Sequence, residues 1–488
     1  MMKFRLLLIL SILVAFCACR EDRISDDPTL RLTFSIDTIA FDTVFTNMGS
    51  TTLQFMVYNN NANAVVIRRI WQDSGKYFKV NIDGESDLYK ATDWQLRGHD
   101  SLMVFVKVFI DPQKQDAPVL VEDNLHFVVN DNQQTVHFEA YGQDVNLIKT
   151  KSRLTIRDTY TFTADKPYLI YDTLAVRSLT TIEPGARLYF HNDAVLLAYG
   201  SVMAEGTLEK PITLMGDRID HLYDSVPYLY VSGMWGGVYL LDEKDAPERR
   251  YHLDYVEILS ANVGLFCVSE KTENLQHVHL TNSRIHNHAI YGLVAQNMDV
   301  TAVNCELTNA AAYCVYLSGG KHTFIHSTIA AYFNYTNVRI QSTPREDVAA
   351  VYINNLSKNH IPTNTSFQNC IVSGVRENNL LVATPLPQYY PDTIAHNYLK
   401  ADTVRTAAAF DNVYWQKEDT MPIFRNTYYK YKEYIYYDFR LDSLSPARGI
   451  ADSATAASYP LDRFGNPRIR FEAGDTIRPD AGCYQYTY

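Results

Sequence analysis

His277, Asp299 and Lys321 follow one another at 22-residue intervals, an imidazole, a carboxylate and an ammonium at one phase of a repeat. If copies of that repeat stack, the three side chains form one outward column that offers the groups used for acid and base transfer to a sugar. The same column is an opposite-charge ladder between neighbouring strands, which stabilises by roughly a few tenths of a kcal/mol per pair. Arg284 and Glu306 stand 22 residues apart as well, and this second ladder favours the stabilising reading. Four histidines crowd residues 277–288: His277, His279, His286 and His288. Alternation along a strand puts the first two on one face, while the last two lie beyond a bend, so no metal site is expected. Sugar hydrolysis needs two carboxylates about 5–9.5 Å apart. Residues 274–332 hold only Asp299 and Glu306 as acids, a thin supply for that chemistry.

The element that would position these groups is the repeat itself. Asn282-Ser283-Arg284-Ile285, Asn304-Cys305-Glu306-Leu307 and His326-Ser327-Thr328-Ile329 align at steps of 22. Asn369-Cys370-Ile371-Val372 follows after 43 more, read as about two further turns of irregular length. Tyr291-Gly292-Leu293 and Tyr313-Cys314-Val315 keep the same step. A period of 20 to 25 with short strands and no helical pattern indicates a parallel β-helix, whose coils must stack because none buries its own inward face. Asn282, Asn304 and His326 are expected to form an inward polar ladder at a bend. Cys305 would sit above Ser283, and Cys370, about three coils away, would be beyond disulfide reach. With Cys267, Cys314 and Cys483 these form an odd set without a close pair, so buried free thiols are expected, with no metal and no cofactor.

Coils also begin earlier, where Glu183-Pro184-Gly185 and Gly206-Thr207 supply turns between apolar triplets. The β-helix is assigned to residues 150–440, and residues 441–488 to an irregular segment closing the open last coil. A tyrosine-dense run over residues 427–437 reads as a loop packed along the stack, with weak sugar stacking as its functional alternative. Ahead of the repeats, residues 30–145 show alternating apolar runs between turns such as Asn59-Asn60-Asn61 and Asp83-Gly84. That spacing suggests an antiparallel sandwich of immunoglobulin (Ig-like) type.

The first residues give an address. Lys3 and Arg5 precede an apolar run over residues 6–16 that ends in Cys17-Ala18-Cys19. The run is too short for a hydrocarbon core about 30 Å thick, and the pattern is that of a secretory signal over residues 1–18. Cys19 after Ala18 resembles the lipidated cysteine of a bacterial lipobox. Residues 19–29, with Arg20-Glu21-Asp22-Arg23 and Ser25-Asp26-Asp27, form an exposed linker that resembles the export signals of surface lipoproteins in Bacteroidetes. Asp165-Lys166-Pro167-Tyr168, Trp235-Gly236-Gly237 and Phe367-Gln368-Asn369-Cys370-Ile371 extend the likeness over most of the chain. It is to uncharacterised right-handed, pectate-lyase-like parallel β-helix lipoproteins of Bacteroidetes. The resemblance implies an outer-membrane lipid anchor and surface display, and it carries no catalytic residue.

Forty-four Lys and Arg against 55 Asp and Glu leave a formal charge of −11. Nucleic-acid binding, which needs a basic face, is therefore not expected. The expected partners are the membrane, through the anchor, and a polysaccharide or surface-protein ligand on the β-helix. A non-catalytic binding, structural or adhesion role is preferred. The alternative is a carbohydrate-active enzyme, a polysaccharide lyase or glycoside hydrolase.

Overall fold

The computed structural model describes residues 23–88, 90, 92–149, 152–222, 226–333, 348–354, 361–383, 393–401, 410–416, 421–428, 436–472 and 475–487. The expected signal, Cys19 and residues 429–435 of the tyrosine-dense run lie outside them. The chain divides into two units at residues 144 and 145.

In the first unit, a four-stranded sheet orders Thr33–Phe34, Gly49–Tyr58, Ser101–Phe109 and Phe78–Ile82. A five-stranded sheet orders Thr38–Phe45, Asn132–Gln143, Val119–Val129, Val65–Gln72 and Thr92–Leu96. Thr38–Phe45 runs parallel to its neighbour, while the other pairs are antiparallel. Ser101–Phe109 reads as apolar on both faces, yet burial alternates along it. Leu102, Val104, Val106 and Val108 are buried, Met103 and Phe105 are half-buried, and Phe109 is exposed. The short strand Phe78–Ile82 alternates, with Phe78, Val80 and Ile82 buried, whereas Thr92–Leu96 buries only Leu96.

The second unit is a parallel β-helix. Among the described residues, three all-parallel sheets of nine, ten and eleven strands run along the stack. The first extends from Arg153–Ile156 to Leu380–Ala383, the second from Tyr160–Phe162 to Phe410–Asp411, and the third from Asn146–Ile148 to Tyr414–Trp415. Parallel pairing therefore begins at Asn146, ahead of residue 150. One coil shows the path: Arg284–His288 in the third sheet, Tyr291–Gln296 in the first and Asp299–Val303 in the second. The chain then turns at Asn304 into Glu306–Ala310, one level along the third sheet. Inward residues such as Ile285, Leu293, Val300 and Leu307 are completely buried and fill the stack.

The turn between the second and third sheets needs left-handed backbone, which explains its residue types. Asn282, Asn304, His326, Asn369, His396 and Asn412 all hold φ between 46° and 55°, a region Asn tolerates better than most residues. Two readings are corrected here. The 43 residues from His326 to Asn369 make one coil, since Ile325 pairs directly with Gln368. Corner insertions, rather than an extra turn, lengthen it. Cys305 and Cys370 are therefore two coils apart, separated by Ser327, and both are free thiols.

The ladder's direction is the second correction. Asn304 donates to the Asn282 side chain at 3.1 Å and Asn369 to His326 Nε2 at 3.0 Å, so bonds do run along the stack. These side chains face outward, however, and are covered by the C-terminal segment. Arg468 donates to Asn304 at 2.7 Å, and Asn369 meets the backbone of Asp452. The next residue of each turn faces inward instead, giving the row Ser283, Cys305, Ser327, Cys370 and Asn397, all completely buried. Each hydroxyl or thiol donates to a carbonyl two residues back: Ser283 to Thr281, Cys305 to Val303, Ser327 to Ile325 and Cys370 to Gln368. Cys305→Ser is thus expected to cost under about 1.5 kcal/mol, because the shape and donor survive. Cys305→Val, which removes the donor and adds a β-branch, should cost more. Urea unfolding of both variants checks the order.

Candidate functional site

The register sets the expected column where the spacing places it: His277 pairs with Asp299, and Asp299 lies one level below Lys321. The three do not act on one another as a proton-transfer set. Asp299 accepts from the backbone N–H of Lys321 at 2.7 Å. His277 Nε2 lies 2.8 Å from the Thr301 hydroxyl, and its ring stacks on His279 at 4.1 Å. The adjacent outward column runs Met203, His252, His279, Thr301 and Thr323 on the second sheet. Burial and the neighbouring imidazoles hold His277 and His279 below the usual histidine range, so both are neutral at pH 7. His252 Nδ1 is 3.2 Å from Glu205.

Corner lengths explain why these residues line a concavity. Between the first and second sheets most corners are short, as at residues 199–201 and 297–298, but residues 243–250 and 270–276 make two long consecutive ones. They wall a groove of about 900 Å³ whose floor is His252, His277 and His279. Glu248, Arg249, Arg250, Lys271 and Gln276 come from the walls. The corner is anchored below: Lys271 lies 3.4 Å from buried Asp242, which accepts from Ser269 at 2.6 Å. The sequence showed the histidines, but not the wall that makes their face concave. The signal was the longer interval from Trp235–Asp242 to Tyr251–Asp254, visible only once strand ends are known.

His286 and His288 are completely buried in the third sheet, away from the groove. His286 Nδ1 lies 2.8 Å from Thr308, and His288 Nδ1 accepts from the Ala261 backbone at 3.2 Å. Among the described residues, no group of three or more His, Cys, Asp or Glu is arranged to hold a metal.

Two aromatic or charged clusters outside the groove are packing features. Tyr291, Tyr313, Tyr316 and Tyr352 form a stripe on the first sheet. Tyr313 and Tyr316 stack on Tyr352 at 4.7 and 5.4 Å, so ring faces that a sugar would need are used on one another. Of the tyrosine-dense run, Tyr436 stacks on Tyr230 at 4.9 Å and Tyr437 packs against Phe439, whereas Tyr428 is exposed.

The Arg284 and Glu306 ladder is buried rather than solvent-facing. Arg284 Nε donates to Glu306 at 2.8 Å, the Tyr484 hydroxyl donates to the second carboxylate oxygen, and Arg463 bridges to Glu257 at 2.9 Å. Residues 441–472 and 475–487 therefore lie as a strap along the flank, touching levels from Glu257 to Asn369. The expected end cap is corrected to a lateral cover, which shields the turn ladder.

No protein-family model and no curated protein sequence matches the chain. Solved structures give local likenesses. A family 123 glycoside hydrolase from Clostridium perfringens aligns at 6% identity over 27% of this chain and 31% of its own, with a TM-score of 0.20. This chain thus spans about a third of that enzyme's length. The ASH/PapD-like domain of human CEP192 aligns at 12% identity over 26% of this chain and 94% of its own, with a TM-score of 0.17. The E. coli chaperone DraB aligns at 11% identity over 25% of this chain and 55% of its own, with a TM-score of 0.16. These local alignments accompany a nearly all-β chain whose larger unit is a parallel β-helix.

Proposed function

We propose that the protein is a lipid-anchored outer-membrane protein, attached through Cys19 and displayed on the cell surface, whose β-helix binds a glycan without cleaving it. The resemblance to β-helix lipoproteins of Bacteroidetes, with an Ig-like unit as spacer, supports the address. One observation carries the binding role: the 900 Å³ groove is lined by imidazoles and guanidinium groups with Glu248 as its single lining carboxylate, while the acids on the neighbouring strands are already engaged. Glu205 faces His252, Asp299 holds the Lys321 backbone, and Asp254 accepts from Thr281 and Asn282. A pair of free carboxylates around a glycosidic bond is what hydrolysis would need.

A panel of neutral and acidic polysaccharides, scored for retention and for new reducing or unsaturated ends, tests this reading. Retention without new ends is expected, and new ends would establish the enzyme reading. Protease shaving of intact cells should remove the protein, and protection from added protease would contradict surface display.

A further inference from the structure

The groove gathers cationic groups: Arg249, Arg250 and Lys271 all line it. Acids outnumber bases by 11 in this sequence, and five arginines elsewhere in the β-helix unit meet carboxylates, while Arg425 and Arg468 meet carbonyl or amide oxygens. Arg177 meets Glu243, Arg218 meets Asp220, Arg284 meets Glu306, Arg440 meets Asp438 and Arg463 meets Glu257. Arg249 and Arg250 are consecutive, both line the groove, and neither guanidinium meets a carboxylate among the described residues. Arg249 Nε is, in addition, buried without a hydrogen-bond partner. A buried donor left unsatisfied is costly, and a fork of planar donors matches the oxygen pairs of a carboxylate or sulfate.

Resting on the glycan-binding reading, we infer that the ligand of this groove is an acidic glycan, held through its carboxylate or sulfate groups by Arg249 and Arg250. Lys271 adds a third cation at the wall, offset by Asp242 at 3.4 Å. His277 and His279 face the sugar hydroxyls as neutral donors and acceptors, with His252 beside them. The strands flooring the groove sit one level apart, about 4.8 Å, so a chain lying along the stack meets Arg250 and His277 at successive levels. The groove wall carries Glu248 as its one carboxylate among the lining residues, which repels an anionic ligand but is outnumbered by Arg249, Arg250 and Lys271.

Alginate and its carboxyl-esterified form share a backbone and differ in charge, and chondroitin sulfate supplies the sulfate arm, with dextran as the neutral control. Binding is measured on the full soluble chain beginning after Cys19. Alginate or chondroitin sulfate should bind at least tenfold tighter than esterified alginate and dextran, and the affinity should fall with rising salt. Arg250→Ala, at an exposed position, should weaken binding about tenfold with unchanged thermal stability, and Arg250→Lys should recover part of it. Equal binding of esterified and free alginate, lost in Arg250→Ala, would overturn the acidic class while keeping the groove as a glycan site. Acidic binding unaffected by Arg249→Ala and Arg250→Ala would overturn the assignment to these arginines. Binding of no polysaccharide would overturn both this inference and the reading beneath it.

Discussion

Lowering the pH from 7 to 4 is expected to unfold the β-helix unit, driven chiefly by four completely buried histidines. Burial pushes His288 and His322 down to about 3 and drives His286 and His326 well below the ordinary value. An unfolded chain takes up these protons near pH 6.5, whereas the folded one refuses them until about pH 3. Between those values the unfolded state binds more protons, so stability falls as the pH falls. At about 1.4 kcal/mol per unit, His288 and His322 each remove roughly 3 kcal/mol by pH 4. Together that is a large share of a typical domain's 5–15 kcal/mol. Glu306, held below the usual carboxylate range by Arg284 and Arg463, acts in the same direction at lower pH. Asp480, raised by burial, opposes it in part. Trp235, buried against Phe190 at 4.3 Å, reports the transition by fluorescence. A midpoint unchanged from pH 7 to pH 4 would contradict this account. His322→Leu should move the transition to lower pH.

The strap supplies the second large effect. Glu306→Ala is expected to destabilise the β-helix unit by about 3–5 kcal/mol, since removing one member of a buried pair leaves the opposite charge uncompensated. Arg284 would lose its 2.8 Å partner, Tyr484 its acceptor and Arg463 a neighbouring charge. Glu306→Gln, which keeps the shape and one acceptor, should fall between wild type and Ala. Hydrogen exchange should rise first in residues 441–487, ahead of the coils. A loss under about 1 kcal/mol, or exchange rising in the coils first, would show that the strap is held by its apolar contacts alone. Those contacts are substantial, because Ala447, Ala481 and Cys483 are completely buried against the third sheet.

Where the chain was legible from its sequence, the reason is local. A 22-residue step writes the stacking register directly, so the pairings of His277 with Asp299 and of Arg284 with Glu306 followed from arithmetic. The step of 43 misled because corner insertions add residues without adding a level, and period alone does not separate the two. The outward turn of Asn304 and the inward turn of Cys305 depend on left-handed backbone at residue 304, which breaks the simple alternation of a strand. The strap was illegible for another reason: Arg463 and Arg468 meet Asn282 and Asn304 across separations of 181 and 164 residues, with no local signature. The candidate site was half legible. Its histidines stood out, while the walls over residues 243–250 and 270–276, and with them the unpaired Arg249 and Arg250, emerged only with the strand ends in place.

The groove as the ligand face is the claim on which the functional reading turns, and hydrogen exchange with and without a saturating acidic oligosaccharide tests it most directly. Protection confined to residues 248–252 and 271–281 is the predicted result. Protection centred on the tyrosine stripe at Tyr291, Tyr316 and Tyr352, or on the strap, with the groove unchanged, would contradict it.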